Sequence, residues 1–354
     1  MPIVADTYQH VVGVDTHAAT HSYAVVQCPT GRLVDEATFP TTSGGLARAA
    51  GWVARRTGGD LDAVLVSAEG TGSYGAVLAE HLAQIGYRVV EAPTPVRARG
   101  RGKTDQLDAA AAARATLALD VDRLRDRRAG QVQTALAVLA TSREQLNADR
   151  VRSINALTAL VRSHDLGIDA RRALTATQIH TIAAWRRRDE PLGLATARAE
   201  ALRHARRVLE LDANLATNRQ QTTVLVVEHA PTLLSLPGVG AVTAAVILTV
   251  WSHPGRIHSE AALAQIAGTC PIPASSGNTT RHRLNRGGDR RLNRAINTIA
   301  LTRMRVDPTT RAYVQRRLAD GKTTREIRRC LKRYITRQIH RTLTAAPPQP
   351  LDAT

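Results

Sequence analysis

Ala63-Val64-Leu65-Val66-Ser67 is an unbroken apolar run that leads straight into Ala68-Glu69-Gly70. A continuous apolar strand has no face for water, so this run is expected to be a central strand of a sheet. Its surroundings agree. His10-Val11-Val12-Gly13-Val14-Asp15 reads as a second buried strand, ending in a carboxylate. Ser22 to Gln27 and Arg32 to Phe39 read as two more, joined by the turn signal Pro29-Thr30-Gly31. After this antiparallel meander, strands alternate with helices: a helix from Ser43, as its cap, to Arg56; the central run; a helix from about Tyr74 to Ile85; and a strand from Arg88 to Glu91. Local pairing followed by alternation predicts a mixed α/β sheet over residues 1–122.

Lys103-Thr104-Asp105-Gln106-Leu107-Asp108-Ala109 opens an alanine-rich helix running to about Leu119, with Thr104 placed to cap it. Asp105 and Asp108 are three apart and share one helical face. Beyond it the chain becomes helical. Leu136, Leu139, Leu146, Ile154, Leu157 and Val161 mark a stripe over about 130–164, a span of roughly 50 Å at 1.5 Å per residue. Leu194, Ala197, Ala201, Val208, Leu211 and Leu215 mark a second stripe to about Thr223, and residues 165–191 would form the tip between them. Residues 123–228 therefore read as an antiparallel coiled-coil arm, or as a plain helical bundle.

Residues 229–345 read as a third, all-α region. Leu225 to Ser235 and Ala241 to Val250 look like two helices joined by Leu236-Pro237-Gly238-Val239-Gly240. That is the pattern of a helix–hairpin–helix, in which Gly238 and Gly240 let backbone N–H groups meet a nucleic-acid phosphate; an ordinary tight turn has the same appearance. Next come a helix from Ser259-Glu260 to Ala267, the small hydroxyl-rich loop Pro273-Ala274-Ser275-Ser276-Gly277, and the basic run Arg281-His282-Arg283 and Arg286-Gly287-Gly288. Asp289 is placed to cap a helix from Arg290 to Arg305, two basic helices start near Thr309 and Thr324, and residues 346–354 form a tail without order.

The net charge of +18 points to a polyanionic partner. After residue 230 there are 20 Lys and Arg against 6 Asp and Glu, nearly all arginine, which suits bidentate contacts to phosphate. A single Phe argues against an aromatic base-stacking platform. Cys28, Cys270 and Cys330 have no ligand-type spacing, so neither a zinc site nor a disulfide framework is expected. With no signal peptide and no long apolar span, a soluble cytoplasmic protein is expected.

Four carboxylates fall at strand ends and helix starts. Asp15 ends the first strand, Glu69 follows the central one, and Asp105 and Asp108 open a helix. Brought together, they would repel one another unless divalent cations compensate. Mg²⁺ takes oxygen ligands, and two such ions can clamp the attacking and leaving oxygens of a phosphodiester.

Gly13-Val14-Asp15-Thr16, Ala68-Glu69-Gly70-Thr71-Gly72-Ser73-Tyr74 and Lys103-Thr104-Asp105-Gln106-Leu107-Asp108-Ala109 resemble the DEDD domain of the insertion sequence 110 family of transposases, which is RuvC-like with an RNase H fold. Leu236-Pro237-Gly238-Val239-Gly240 and the run Ser276-Gly277, Arg281, Arg286-Gly287-Gly288 and Leu292 resemble that family's second domain. The resemblance covers about residues 10–342. It implies a recombinase guided by a structured bridge RNA that pairs with donor and target DNA. It implies a Mg²⁺ (or Mn²⁺) site at Asp15, Glu69, Asp105 and Asp108, with Ser276 as nucleophile, since the family's serine directly precedes a glycine. It also implies dimers that assemble into tetramers, for which the helical arm is a natural contact. Arg281, Arg283 and Arg286 are candidates to neutralise charge on the phosphoryl oxygens. Two other readings suit the residues: a metal-dependent junction endonuclease that cuts with water, and a nucleic-acid-binding protein without catalysis.

Overall fold

The computed structural model describes residues 2–93, 105–274 and 282–345. They fall into two compact units, one of residues 1–130 with 250–266, the other of residues 131–249 with 267–354.

In the first unit, a helical turn α1 (Val4–Thr7) leads into β1 (His10–Thr16), β2 (Thr20–Gln27) and β3 (Arg32–Pro40). Helix α2 (Ser43–Thr57), β4 (Val64–Ala68), α3 (Ala76–Ile85), β5 (Arg88–Glu91) and α4 (Asp105–Leu117) follow. The sheet order is β3-β2-β1-β4-β5, antiparallel through β3, β2 and β1 and parallel through β1, β4 and β5. This mixed five-stranded sheet is consistent with an RNase H-like domain.

The unbroken apolar run of β4 has the expected cause. Val64 and Val66 join a core with α2 and α3, including Leu46, Trp52, Val53, Leu78 and Leu82, while Leu65 joins a second core with Val11, Val26, Val90 and Ala113 of α4. Each face of the strand therefore needs its own apolar side chains. The cap of α2 lies one residue earlier than expected: the Thr42 hydroxyl accepts from the Gly45 N–H, and Ser43 is already helical.

The second unit begins with α5 (Gln131–Ser163), α6 (Ala176–Ala183) and α7 (Leu192–His229). Helices α5 and α7 run antiparallel, since Asn218 Nδ2 donates to the Leu139 carbonyl and Arg150 pairs with Asp212. At the far end, Leu157 and Val161 of α5 pack with Ile179 and Ile182 of α6 and with Ala197, Ala201 and Val208 of α7. A capping box between Thr175 and Gln178 starts α6. Arg198 is bidentate to Glu190 at 2.7 Å and stacks over Trp185 at 4.6 Å.

The helix expected over 225–235 does not form as one element. Helix α7 continues to His229, and the chain breaks at Ala230, before Pro231 starts the single turn α8 (Pro231–Leu234). Proline has no N–H to extend a helix and disfavours helical geometry in the residue before it. Only one short turn therefore precedes the glycine hairpin. Helix α9 (Ala241–Trp251) runs across the boundary of the two units, and α10 (Glu260–Ile266) lies in the first. The second unit resumes with β6 (Ile272–Pro273) and β7 (His282–Arg283), an antiparallel pair, and then α11 (Arg290–Val306), α12 (Pro308–Ala319) and α13 (Thr324–Ala345). Asp289 caps α11 as expected, accepting from the Leu292 N–H. Leu292, Ile296 and Ile299 of α11 are buried, as are Ile327, Leu331, Ile335 and Ile339 of α13.

Candidate active site and nucleic-acid interface

Asp15 sits near the end of β1, at 7% exposure, where the parallel strands stop. Glu69 follows β4 directly. Its N–H donates to the Val14 carbonyl, and its own carbonyl accepts from the Thr16 hydroxyl at 3.1 Å, so the two strand ends are tied side by side. Helix α4 packs on the same sheet unusually closely. A Cβ on Gly13 would lie 2.0 Å from the Ala109 carbonyl oxygen, so only glycine in β1 lets this alanine-rich helix seat. The small residues Ala109, Ala110, Ala112 and Ala113 face the sheet and are buried.

That close seating brings the first turn of α4 to the end of β1. The His17 Nδ1 is 3.7 Å from an Asp15 carboxylate oxygen and 3.9 Å from one of Asp105. Donor atoms of Asp15, His17 and Asp105 lie within 4.8 Å of one another. Glu69 and Asp108, both half-buried, do not join this group at that spacing. Two carboxylates and an imidazole form a donor set suited to a divalent cation, and the nitrogen makes it less purely magnesium-like than four carboxylates would be. Sequence reasoning misses His17; its signal is an Asp-x-His pair at the end of a buried strand. His21, one pair further along β2 and 2% exposed, has its pKa lowered by burial and by neighbouring His17.

Another carboxylate also ends a parallel strand but is committed elsewhere. Glu91, opposite Ala68, accepts from Arg256 Nη2 at 2.5 Å and from the Thr71 hydroxyl, with Arg128 at 3.5 Å and Arg125 at 3.9 Å. Arg256 is 1% exposed; its other donors reach the carbonyls of Asp126 at 3.0 Å and Val250 at 2.6 Å. Guanidinium groups surround this carboxylate, which marks a structural ion pair.

Ser275, Ser276 and Arg281 lie outside the described residues, as does Thr104. The strands flanking the serine segment are exposed and pair Ile272 with Arg283 and Pro273 with His282. Arg283 and Arg286 are both exposed. Gly288 has a packing role: a Cβ there would lie 2.3 Å from the Gly268 nitrogen, so two backbones touch at the base of the segment. Asn293 Nδ2 ties the same point down by donating to the Ala267 carbonyl at 2.6 Å, and Lys332 donates to Asn293 Oδ1 at 2.5 Å. Burial, with Arg328 and Arg329 nearby, lowers the pKa of Lys332. Beside β6 and β7 opens a cleft of about 780 Å³ whose walls carry Arg283, Arg317, Arg329, Lys332, Arg333 and Arg337, with Glu326 as an acid.

Gly238 has φ +75° and Gly240 has open space where a side chain would be. The turn is held by Arg303 of α11, which donates to the Pro237 carbonyl at 2.6 Å and to Gln338 at 2.8 Å. It is a tight turn before α9 rather than a hairpin between two full helices. No helix among the described residues is long and apolar enough to cross a membrane.

Residues 12–164 match a transposase family, the DEDD transposase of IS110 type, and residues 230–315 match the transposase IS116/IS110/IS902 family. The chain is 30% identical over 274 residues to the insertion element IS900 uncharacterized 42 kDa protein of Mycobacterium paratuberculosis, covering 63% of this chain and 67% of that one. It is 41% identical over 95 residues to the insertion element IS110 uncharacterized 43.6 kDa protein of Streptomyces coelicolor, covering 27% and 24% of the two. With both transposase segments present in one chain and the DEDD segment carried on a mixed sheet, the chain belongs to the IS110 family of insertion-sequence transposases.

Proposed function

We propose that this transposase cuts and rejoins DNA strands with Ser276 as nucleophile, guided by a structured RNA that pairs with donor and target. The observation that carries the reading is the convergence of Asp15, His17 and Asp105 at the end of the sheet, in a chain of this family. Asp15, Glu69, Asp105 and Asp108 would hold Mg²⁺ or Mn²⁺, with His17 beside them. A divalent cation bound there supplies Lewis-acid polarisation of the scissile phosphate. The Ser276 Oγ attacks phosphorus, forming a phosphoserine bond and breaking the P–O3′ bond. The serine proton passes to the leaving 3′ oxygen, and the 3′-hydroxyl of the exchanged strand reverses the step. Because one phosphoester replaces another, no high-energy cofactor is needed. Serine is a weak nucleophile unless a base or metal activates it. Arg281, Arg283 and Arg286 stand in sequence around the serine segment, where they can neutralise the phosphoryl oxygens. Dimers joined through α5 and α7, pairing into tetramers, would let one subunit's serine serve another's carboxylates.

The test is a denaturing gel on the full chain with guide RNA, both DNAs and Mg²⁺. A protein–DNA adduct that disappears in Ser276→Ala and persists in Ser275→Ala is expected. A divalent metal held by the carboxylates could instead let water act as nucleophile, and that reading is favoured if Ser276→Ala still cleaves and no adduct ever forms.

A further inference from the structure

A second basic cleft lies within the helical unit and shares no lining residue with the one beside β6 and β7. It has a volume of about 490 Å³ and is walled by α5, α7, α11 and the first turn of α9. Four arginines line it: Arg143 on α5, Arg219 on α7, and Arg291 and Arg294 on α11. The acidic side chain in the lining, Glu144, is shared between Arg291 at 2.7 Å and Arg294 at 3.5 Å. Three positive charges are left over.

Arg143 is held in place, donating to the Leu215 carbonyl at 3.1 Å and to Asn218 Oδ1 at 3.5 Å. Its partners are neutral, and burial and the facing charge of Arg219 lower its pKa. Arg219 has no carboxylate partner among the described residues. With Arg143 held close enough to the exposed Arg219 to feel its charge, the two guanidinium groups repel, and a bound anion relieves that repulsion. The start of α9 adds donors of the right kind. The Gly240 N–H is taken by the Thr243 hydroxyl, and the Ala244 N–H bonds the Gly240 carbonyl. In a helix the intervening N–H groups have no acceptor within the helix, and a phosphate supplies one. Space is kept for it at Gly240, where nothing lies within 4 Å of the place a Cβ would take. No aromatic residue lines the cleft among the described residues, which argues against base stacking as its purpose.

We propose that this cleft grips a backbone phosphodiester of a nucleic-acid strand, with Arg143 and Arg219 as its principal charge contacts. It rests on the transposase reading for the class of partner, but it is independent of which residue is the nucleophile. The chemistry is common to DNA and RNA, so the test has an arm for each.

Binding is measured by fluorescence anisotropy on the full chain carrying Asp15→Asn, so that no strand is cut, with labelled duplex DNA, single-stranded DNA and structured RNA over a salt series. Arg143→Gln with Arg219→Gln is expected to weaken at least one probe by about tenfold and to flatten its log–log salt slope by about one for each phosphate no longer gripped. The probe affected identifies the strand. The control pair Arg203→Gln with Arg207→Gln, which lines no part of this cleft, should leave both quantities near the parent. Because Arg143 also braces α7, Arg219→Gln alone is measured as well; its side chain is exposed. Unchanged affinity and slope for every probe, or an equal loss in the control pair, overturns the proposal. The Ser276 adduct assay reads separately, so failure of either idea leaves the other standing.

Discussion

Asp15 and Arg283 both stand at strand ends, but the strands are built differently. β1 is seven residues long, paired on both sides and buried over its middle five positions. β6 and β7 have two exposed residues each and pair only with one another. The carboxylate is placed by the bulk of a sheet and by a helix that can approach only over Gly13. The arginine is placed by local anchors, the Gly268–Gly288 contact and Asn293. A cation site needs donor atoms set to fractions of an ångström, whereas a guanidinium on a long side chain reaches a phosphate from many positions.

The sharpest way to break this comparison is at the buried end. Asp15→Asn should lower strand transfer by at least about 100-fold and weaken Mn²⁺ binding by calorimetry, with the fold intact by circular dichroism. Retained recombination would remove the carboxylate from the chemistry. Glu91→Gln should come next. It leaves the Arg256 guanidinium buried without its carboxylate, a loss of about 3–5 kcal/mol that denaturant unfolding would register. Gly13→Ala forces α4 away from β1 and should cost about 1–3 kcal/mol, with Mn²⁺ affinity falling alongside because Asp105 moves with the helix. If stability falls and Mn²⁺ affinity does not, the close seating of α4 over Gly13 is not what sets the cation site. Arg283→Ala should leave the melting temperature unchanged and weaken DNA binding by about five- to tenfold, on the order of 1 kcal/mol.

The smallest effect is with pH. His10 and His21 both have pKa values lowered by burial, and their Nδ1 atoms have no hydrogen-bond partner among the described residues. Each therefore takes up its proton more readily when unfolded. Stability should be full above about pH 6.5, the unfolded value, and decline as pH falls below it. A melting series from pH 7.5 to 5, repeated on His21→Gln, would measure this; an unchanged slope in that variant would acquit His21.

Much of the sheet was legible because its signals are local. The apolar run of β4, the Gly31 turn and the alternation after β3 each follow from neighbouring residues. Helix boundaries were readable where a cap or breaker was used, as at Asp289, and misread where it was passed over. Pro231 marks the end of α7, whereas the helix expected from Leu225 to Ser235 runs straight through it. The long-range pairings had no sequence signature. His17 gains meaning only when α4 brings Asp105 to it, and nothing near Glu91 announces Arg256, 165 residues away.

That last pair bears on how such elements exchange parts. Glu91 falls in the first family-matched segment and Arg256 in the second, and both belong to the same folded unit. A gene that keeps codons 1–130 and acquires a new downstream half keeps Arg125 and Arg128 beside Glu91 but loses Arg256, the buried partner that bonds it directly. Recombinant chains of that kind should unfold at lower denaturant unless the incoming half brings an arginine at the matching place. One ion pair thus ties the stability of the first unit to a residue encoded in the second matched segment.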